Sequence, residues 1–209
     1  MNAGLDAHVP LVFVDTNVFY PVRLADLIPS SVDDGLFELC VSDHLLAEIE
    51  RVLTHHKGLP ADKANIFREA VEANARSVMR AGQYELLTEQ LAGPDPDDLH
   101  HLAAAITGGA DFIITQNTTD FLTAHIPDDV TPPAIVTPDE FFAQLLAAGF
   151  EDDVLGVVQR ISTKLKNPPR TPSEILDGLD LIGMSETASQ LRNRTSPTEL
   201  NQIGLRPTD

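Results

Sequence analysis

Short apolar runs recur along the chain and predict a sheet. Leu11–Val14 is apolar throughout and rich in β-branched and aromatic residues, which is typical of a parallel strand buried on both faces. Residues 37–41 and 112–114 repeat this pattern. Residues 84–87 and 134–136 are compatible with two further strands. We therefore expect a sheet of up to five strands.

Segments with helical spacing alternate with these runs. Ser42 and Asp43 offer an N-cap to the segment that follows them, whereas Pro29-Ser30-Ser31 is expected to end the first helix. We expect helices over residues 18–27, 43–54, 61–80, 97 or 98 to 108, and 138–147. Strands that alternate with helices predict an α/β protein, a three-layer α/β/α sandwich with a mostly parallel sheet.

The chain changes character near residue 150. Beyond Gly149, three helices are expected over residues 152–166, 172–181 and 185–192, and no strand is evident. The acidic excess also declines there. We therefore predict a first domain over residues 10–148, a small helical C-terminal extension over residues 151–193, and an irregular tail over residues 194–209.

Charge and cysteine content restrict the class of protein. The formal net charge is −18, and residues 81–150 hold 11 acids with no lysine or arginine. Such a surface repels bare nucleic acid, and it suits solvation, metal binding or a basic protein partner. The single cysteine, the lack of an apolar run of about 18 residues and the lack of a signal-peptide pattern predict a cytoplasmic protein without membrane contact.

Four acids are candidates for one site. Asp15 follows the first apolar run, and Asp120 follows the run that ends at Ile114. Asp98 opens a helix, and Glu48 borders the apolar face of the helix after Ser42. Functional groups collect at the carboxyl ends of parallel strands, so these acids can converge. Asp15 as a simple cap or turn residue and Glu48 as a simple surface residue remain open alternatives.

Converging carboxylates would favour a divalent cation. Carboxylates repel one another unless a cation lies between them, and oxygen ligands favour Mg²⁺ or Mn²⁺ over zinc. The histidines that could serve zinc come as the adjacent pairs His55-His56 and His100-His101, whose members point to different faces of a helix.

Four segments resemble the motifs of the PIN-domain family. Phe13-Val14-Asp15-Thr16-Asn17-Val18 is similar to the opening motif, and residues 42–49 are similar to the second, with Glu48 as its acid. Residues 96–105 resemble the third motif, in which Asp98 rather than Asp97 aligns with the metal-binding aspartate. Residues 115–121 resemble the fourth. The resemblance covers about residues 10–147 and is greatest to VapC-type toxins of toxin–antitoxin pairs.

The resemblance implies a function and a set of roles. It implies a Mg²⁺-dependent endoribonuclease that leaves a 5′-phosphate and a 3′-hydroxyl, and a cognate antitoxin that blocks the site. Asp15 and Asp98 would be the principal metal ligands. Glu48 and Asp120 would complete the catalytic cluster. Thr115 and Asn117 would give supporting hydrogen bonds.

Two other questions stay open at the level of sequence. A phosphatase of the haloacid-dehalogenase class is disfavoured, because Asn17 stands where its second aspartate is needed. A non-catalytic PIN-fold module that binds RNA or protein remains the alternative. Candidate RNA contacts, against an ordinary solvated face, are Arg68, Arg76, Arg80, Arg160 and Lys164. The C-terminal helices are equally compatible with binding the antitoxin or a second copy in a homodimer.

Overall fold

The computed structural model describes residues 9–19 and 22–194, without the side chains of Val22, Arg23 and Asp97. The described residues form two compact units. One contains residues 9–19 and 37–137 and is called the sheet unit. The other contains residues 22–36 and 138–194 and is called the helical unit. The prediction for the tail falls outside the described residues, apart from Arg194.

Five parallel strands form the centre of the sheet unit. They are β1 (Leu11–Val14), β2 (Glu38–Ser42), β3 (Ala75–Met79), β4 (Phe112–Ile114) and β5 (Ala134–Val136). Their order is β3-β2-β1-β4-β5, and every pairing is parallel. Burial of Val12, Phe13 and Val14 agrees with the apolar run that predicted a central strand. The predicted α/β fold class is confirmed.

Ten α-helices and one 3₁₀-helix lie in the described part of the chain. The 3₁₀-helix is Thr16–Phe19, and the α-helices are α1 (Val22–Asp33), α2 (Asp43–His55), α3 (Ala61–Asn74), α4 (Ala81–Thr88), α5 (Pro96–Gly108), α6 (Thr118–Leu122), α7 (Pro138–Ala147), α8 (Glu151–Lys164), α9 (Pro172–Leu181) and α10 (Ser185–Arg194). Helices α2 to α6 belong to the sheet unit. As predicted, Ser42 caps α2, because its hydroxyl accepts a hydrogen bond from the backbone N–H of Leu45 at 3.1 Å.

Three local predictions were wrong. Residues 84–87, expected to form a strand, are helical within α4. The helix expected over residues 61–80 ends early, and its last part forms strand β3. Helix α1 does not end at Pro29 but runs through it to Asp33. Burial of Leu24, Leu27 and Ile28 along α1 indicates that tertiary packing outweighs the hydrogen bond lost at the proline.

The helical unit contains α1 and α7 together with the three C-terminal helices. Helix α1 packs on α8 and α9, and α10 packs on α7 and α9. Asp139 of α7 caps α10, because its carboxylate accepts hydrogen bonds from the backbone N–H groups of Glu186 and Thr187 at 3.1 and 2.9 Å. The domain boundary near residue 150 stays a prediction. In the described residues, no helix has the length and apolar content needed to cross a membrane.

Candidate metal centre

Asp15 is fixed where β1 leaves the sheet. Its backbone N–H donates a hydrogen bond to the carbonyl of Ile114 at 2.9 Å, so Asp15 continues the parallel pairing of β1 with β4. The side chain is buried, with 4% of the residue exposed. Its Oδ2 accepts hydrogen bonds from the Thr115 hydroxyl at 2.7 Å and from the Asn17 amide at 2.6 Å. Burial raises the pKa of Asp15, while His101 and Thr115 oppose that rise.

Thr115 connects two loops that leave neighbouring strands. Its hydroxyl donates to Asp15 and accepts from the Asn17 amide and from the backbone N–H of Asn117, each at 3.0 Å. The side-chain oxygen Oδ1 of Asn17 in turn accepts a hydrogen bond from the backbone N–H of Gln116 at 2.9 Å. Because the Thr115 hydroxyl and both ends of the Asn17 amide take part in these hydrogen bonds, Oδ2 of Asp15 is oriented from two sides. Sequence reasoning proposed Thr115 and Asn117 as supports but missed this role of Asn17.

A second group of acids lies near the start of α5. Carboxylate oxygens of Asp95, Asp98 and Asp120 all lie within 4.8 Å of one another. Asp120 also accepts a hydrogen bond from the Asn117 side chain. Burial, together with the negative charges of Asp15, Asp95 and Asp120, raises the pKa of Asp98 to about 6. Asp98 is therefore the residue that connects Asp15 electrostatically with this cluster.

The sequence predicted Asp98 and Asp120 for the site but not Asp95. Asp95 precedes α5 in the loop Gly93-Pro94-Asp95, where an acid is typical of a turn, so its sequence context gave no functional signal. Asp15 and Glu48 are not members of the three-carboxylate group found among the described residues.

Glu48 forms hydrogen bonds with residues of the 3₁₀-helix and of α5. It is half-buried on α2, and its Oε2 accepts a hydrogen bond from the Thr16 hydroxyl at 2.8 Å and lies 3.1 Å from Nε2 of His101. The hydrogen bond with His101 lowers the pKa of Glu48, against the effect of burial, and Thr16 adds to that lowering. Glu48 is therefore fixed by hydrogen bonds and is not a simple surface residue.

His101 is a site residue that sequence reasoning missed. It is buried, and its ring stands edge-on to Phe13 with the centroids 5.7 Å apart. Burial lowers its pKa, but the hydrogen bond to Glu48 and the charges of Asp15 and Asp98 outweigh burial, so the pKa is raised. His101 comes three residues after Asp98 on α5, and this spacing places both on one helix face. This spacing was the signal in the sequence that could have identified His101.

The predicted RNA-contact residues all have acidic partners. Arg76 lies in β3 and Arg80 directly after it, not on the long helix expected to carry them. The ion pairs are Arg68 with Glu72 at 2.9 Å, Arg76 with Glu38, Arg80 with Asp43 at 2.6 Å, Arg160 with Asp34, and Lys164 with Asp33 at 4.0 Å. RNA contact by these residues stays a prediction.

Comparison with known proteins identifies two families. The PIN domain matches residues 11–119, and the VapC50 C-terminal domain matches residues 138–193. No curated protein sequence matches the chain. A similar solved structure is VapBC2 from Rickettsia felis bound to a DNA fragment from their promoter. It is 14% identical, the match covers 61% of this chain and 98% of that chain, and the TM-score is 0.41. With more than half of its length matched by the PIN domain and its C-terminal helices matched by the VapC50 C-terminal domain, the chain belongs to the PIN-domain family as a VapC-type member with a helical C-terminal extension.

Proposed function

We propose that this protein is a Mg²⁺-dependent endoribonuclease that acts as the toxin of a toxin–antitoxin pair. The observation that carries the proposal is the convergence of Asp95, Asp98 and Asp120, together with the charge coupling of Asp98 to the buried Asp15. Carboxylates at this density are costly without a cation, and the raised pKa of Asp98 is the sign of that cost.

The donor set fits a hard divalent cation. All candidate ligands offer carboxylate oxygen, which Mg²⁺ and Mn²⁺ prefer and which does not suit a structural zinc site. Asp98 and Asp15 are proposed as the principal ligands, with Asp120 and Asp95 close enough to Asp98 to assist directly or through water. Asp98 and Asp15 would hold a Mg²⁺ ion that, when bound, would supply an activated water and stabilise the charge on a phosphodiester.

The remaining residues hold this arrangement in place. Thr115 and Asn17 orient Asp15, and Asn117 orients Asp120. Glu48 keeps His101 in position beside Asp15 and Asp98, and His101 opposes the rise in the pKa of both acids. Each support is a hydrogen bond to a carboxylate, the kind that contributes most to preorganising a site.

The test is cleavage of single-stranded RNA by the purified protein. The parent is expected to cleave with Mg²⁺ or Mn²⁺ and to stop when EDTA is added. Asp98→Asn and Asp15→Asn should each lose at least about 100-fold in rate, because each removes charge from the proposed metal ligands. Asp129→Asn, which changes an exposed acid of the same unit, is the matched control and should cleave like the parent. Equal cleavage by all four proteins would refute the proposed metal site, and cleavage of DNA alone would refute the substrate.

The toxin role is supported by the family matches to the PIN domain and to the VapC50 C-terminal domain. A cognate antitoxin is the partner that this role requires. Expression of the parent is expected to arrest bacterial growth, and coexpression of a small DNA-binding protein encoded beside it should restore growth. Asp98→Asn should fail to arrest growth while the variant protein accumulates normally. Arrest by Asp98→Asn would mean that toxicity does not depend on the metal site.

A further inference from the structure

A cleft lined by three histidines lies beside the candidate metal centre. Its volume is about 290 Å³, near the lower end of small-ligand sites. The lining residues come from α2 and α5 and are His44, Ala47, Glu48, Arg51, His100 and His101. Resting on the proposed ribonuclease function, we propose that this cleft binds a nucleobase of single-stranded RNA next to the cleaved phosphate, stacked on the exposed ring of His44, which His100 supports from behind.

The histidine rings form a fixed surface. His44 and His100 are stacked, with the ring centroids 4.5 Å apart and an interplanar angle of 22°. His44 is exposed, yet its Nδ1 is hydrogen-bonded to the Tyr84 hydroxyl at 2.5 Å, and Tyr84 is completely buried. An exposed ring that is held by a buried residue loses little conformational entropy when a ligand stacks on it.

The same cleft reaches the acids. Its wall includes His101 and Glu48, which are hydrogen-bonded to each other, and His101 is electrostatically coupled to Asp15 and Asp98. A nucleotide whose base occupied the cleft would therefore have its phosphate near the metal centre. This shared wall distinguishes the cleft from a surface pocket unrelated to the chemistry.

Arg51 places a guanidinium at the edge of the cleft. Its side chain is 61% exposed, and its contact with Glu48 is long, at 3.4 Å. Arg51 has an acidic partner, as do the five cations proposed from the sequence, but both Arg51 and its partner Glu48 line the cleft. A guanidinium beside stacked imidazole rings is the combination that binds a phosphate and its unstacked base.

Single-stranded RNA fits this chemistry better than a duplex. Bases in a duplex are stacked on one another and present no free face, whereas a loop or an end can place a base against aromatic side chains. Stacking of this kind tolerates several bases, so the cleft is expected to affect affinity and the choice of cleavage position more than the rate of the chemical step.

The experiment measures binding separately from cleavage. Fluorescent single-stranded RNA oligonucleotides are titrated with full-length protein that carries Asp98→Asn, so that no cleavage occurs. Adding His44→Ala or His100→Ala is expected to weaken binding about 5- to 150-fold, the range for loss of one stacked base. His44→Phe loses the same hydrogen bond to Tyr84 but keeps an aromatic ring, so it should retain most of the affinity. His56→Ala, at an exposed position just beyond the end of α2, is the matched control and should have no effect.

An abasic oligonucleotide series identifies the contact. In the protein that keeps His44, removing the base at one position of the RNA should weaken binding as much as His44→Ala does. In the His44→Ala variant, removing that same base should cause no further loss of affinity. Equal RNA affinity of His44→Ala, His44→Phe and the control would overturn the inference. An equal loss of affinity in the two His44 variants would also overturn it, because only His44→Phe keeps an aromatic ring. Absence of any RNA binding would overturn it as well. Cleavage is scored separately with Asp98 intact, so a parent that binds RNA through His44 without cleaving it would contradict only the proposed function.

Discussion

The Asp98 carboxyl has a measurable consequence for the stability of the metal-free protein. Because burial and the neighbouring acids raise its pKa from 3.8 to about 6, the folded protein binds this proton more tightly than the unfolded chain does. The contribution of Asp98 to the free energy of unfolding therefore falls as the pH rises from 3.8 to about 6, and it stays low at higher pH.

Asp98→Asn removes this penalty. In EDTA at neutral pH, the variant is expected to exceed the parent in free energy of unfolding by about 1–2 kcal/mol, a gain reduced by solvent screening at a half-buried position. Urea denaturation over a pH series checks this, and the gain should vanish below a pH of about 4. Mg²⁺ should stabilise the parent and reduce the difference. A gain that is the same at every pH would show that Asp98 has an ordinary pKa.

The Thr115 hydroxyl is expected to matter for both stability and activity. Thr115→Val leaves Asp15 with one hydrogen bond fewer and leaves two N–H donors, those of Asn17 and Asn117, without their acceptor. The free energy of unfolding should fall by about 1–3 kcal/mol, and RNA cleavage should fall because Asp15 loses its orientation. Thr123→Val removes an exposed hydroxyl that bonds only a helix carbonyl, and it should change neither quantity. Cleavage at the parental rate by Thr115→Val would contradict the orienting role.

At the scale of the element, helix α2 carries two parts of the site. Its first turn bears His44 and its second bears Glu48, so the position of both depends on how the helix begins. Ser42→Ala removes the N-cap and should lower the free energy of unfolding by about 1 kcal/mol. It should also slow RNA cleavage, because fraying of the first turn moves His44 and loosens Glu48.

A second cap provides the comparison for Ser42. Thr171 caps α9 in the helical unit, where it forms a capping box with Glu174. Thr171→Ala should therefore cost a similar free energy, about 1 kcal/mol, without slowing cleavage of RNA. Thermal unfolding and initial cleavage rates of both variants test the pair. Slower cleavage in both to the same degree would mean that the effect reflects global stability and not the position of α2.

The elements that sequence predicted well are those with a strong apolar pattern. Strand β4 is buried throughout and β1 is buried from Val12 onward, and each follows from an uninterrupted apolar run. Strand β3 is an edge strand with the sequence Ala-Arg-Ser-Val-Met, and most of its residues are half-buried. Its mixed composition continues the polar helix before it, so the pattern contains no signal for the change to a strand.

Recognisable elements also explain which residues of the candidate metal centre could be predicted from the sequence. Asp15, Asp98 and Glu48 could be predicted because they stand at the ends or faces of recognisable elements. Asp95 could not, because its proximity to Asp98 and Asp120 depends on the path of a loop. The position of His101 beside Glu48 depends on how α5 meets α2, which is a tertiary contact between residues 53 positions apart in the chain.

At the scale of the whole molecule, net charge predicts an unusual response to salt. The chain carries a formal charge of −18, and the candidate metal centre lies among its acids. A basic nucleic-acid-binding protein that contacts 6–10 phosphates loses about 10³- to 10⁵-fold in affinity between about 50 and 200 mM salt, because counterions are released on binding. This protein has Arg51 at the proposed RNA cleft and repels the RNA elsewhere, so few counterions would be released.

Added monovalent salt should therefore have a small or favourable effect on RNA binding. It screens the long-range repulsion between acidic protein and RNA, while bound Mg²⁺ and base stacking act at short range and are screened less. At saturating Mg²⁺, KM for RNA cleavage is expected to stay constant or to fall as KCl rises from about 50 to 200 mM. Arg51→Gln should raise KM at low salt and make the dependence flatter or more favourable, since it removes the phosphate contact. A steep rise of KM with salt in the parent would instead show that RNA binds across many phosphate contacts, and the paired arginines would then have to exchange their acids for RNA.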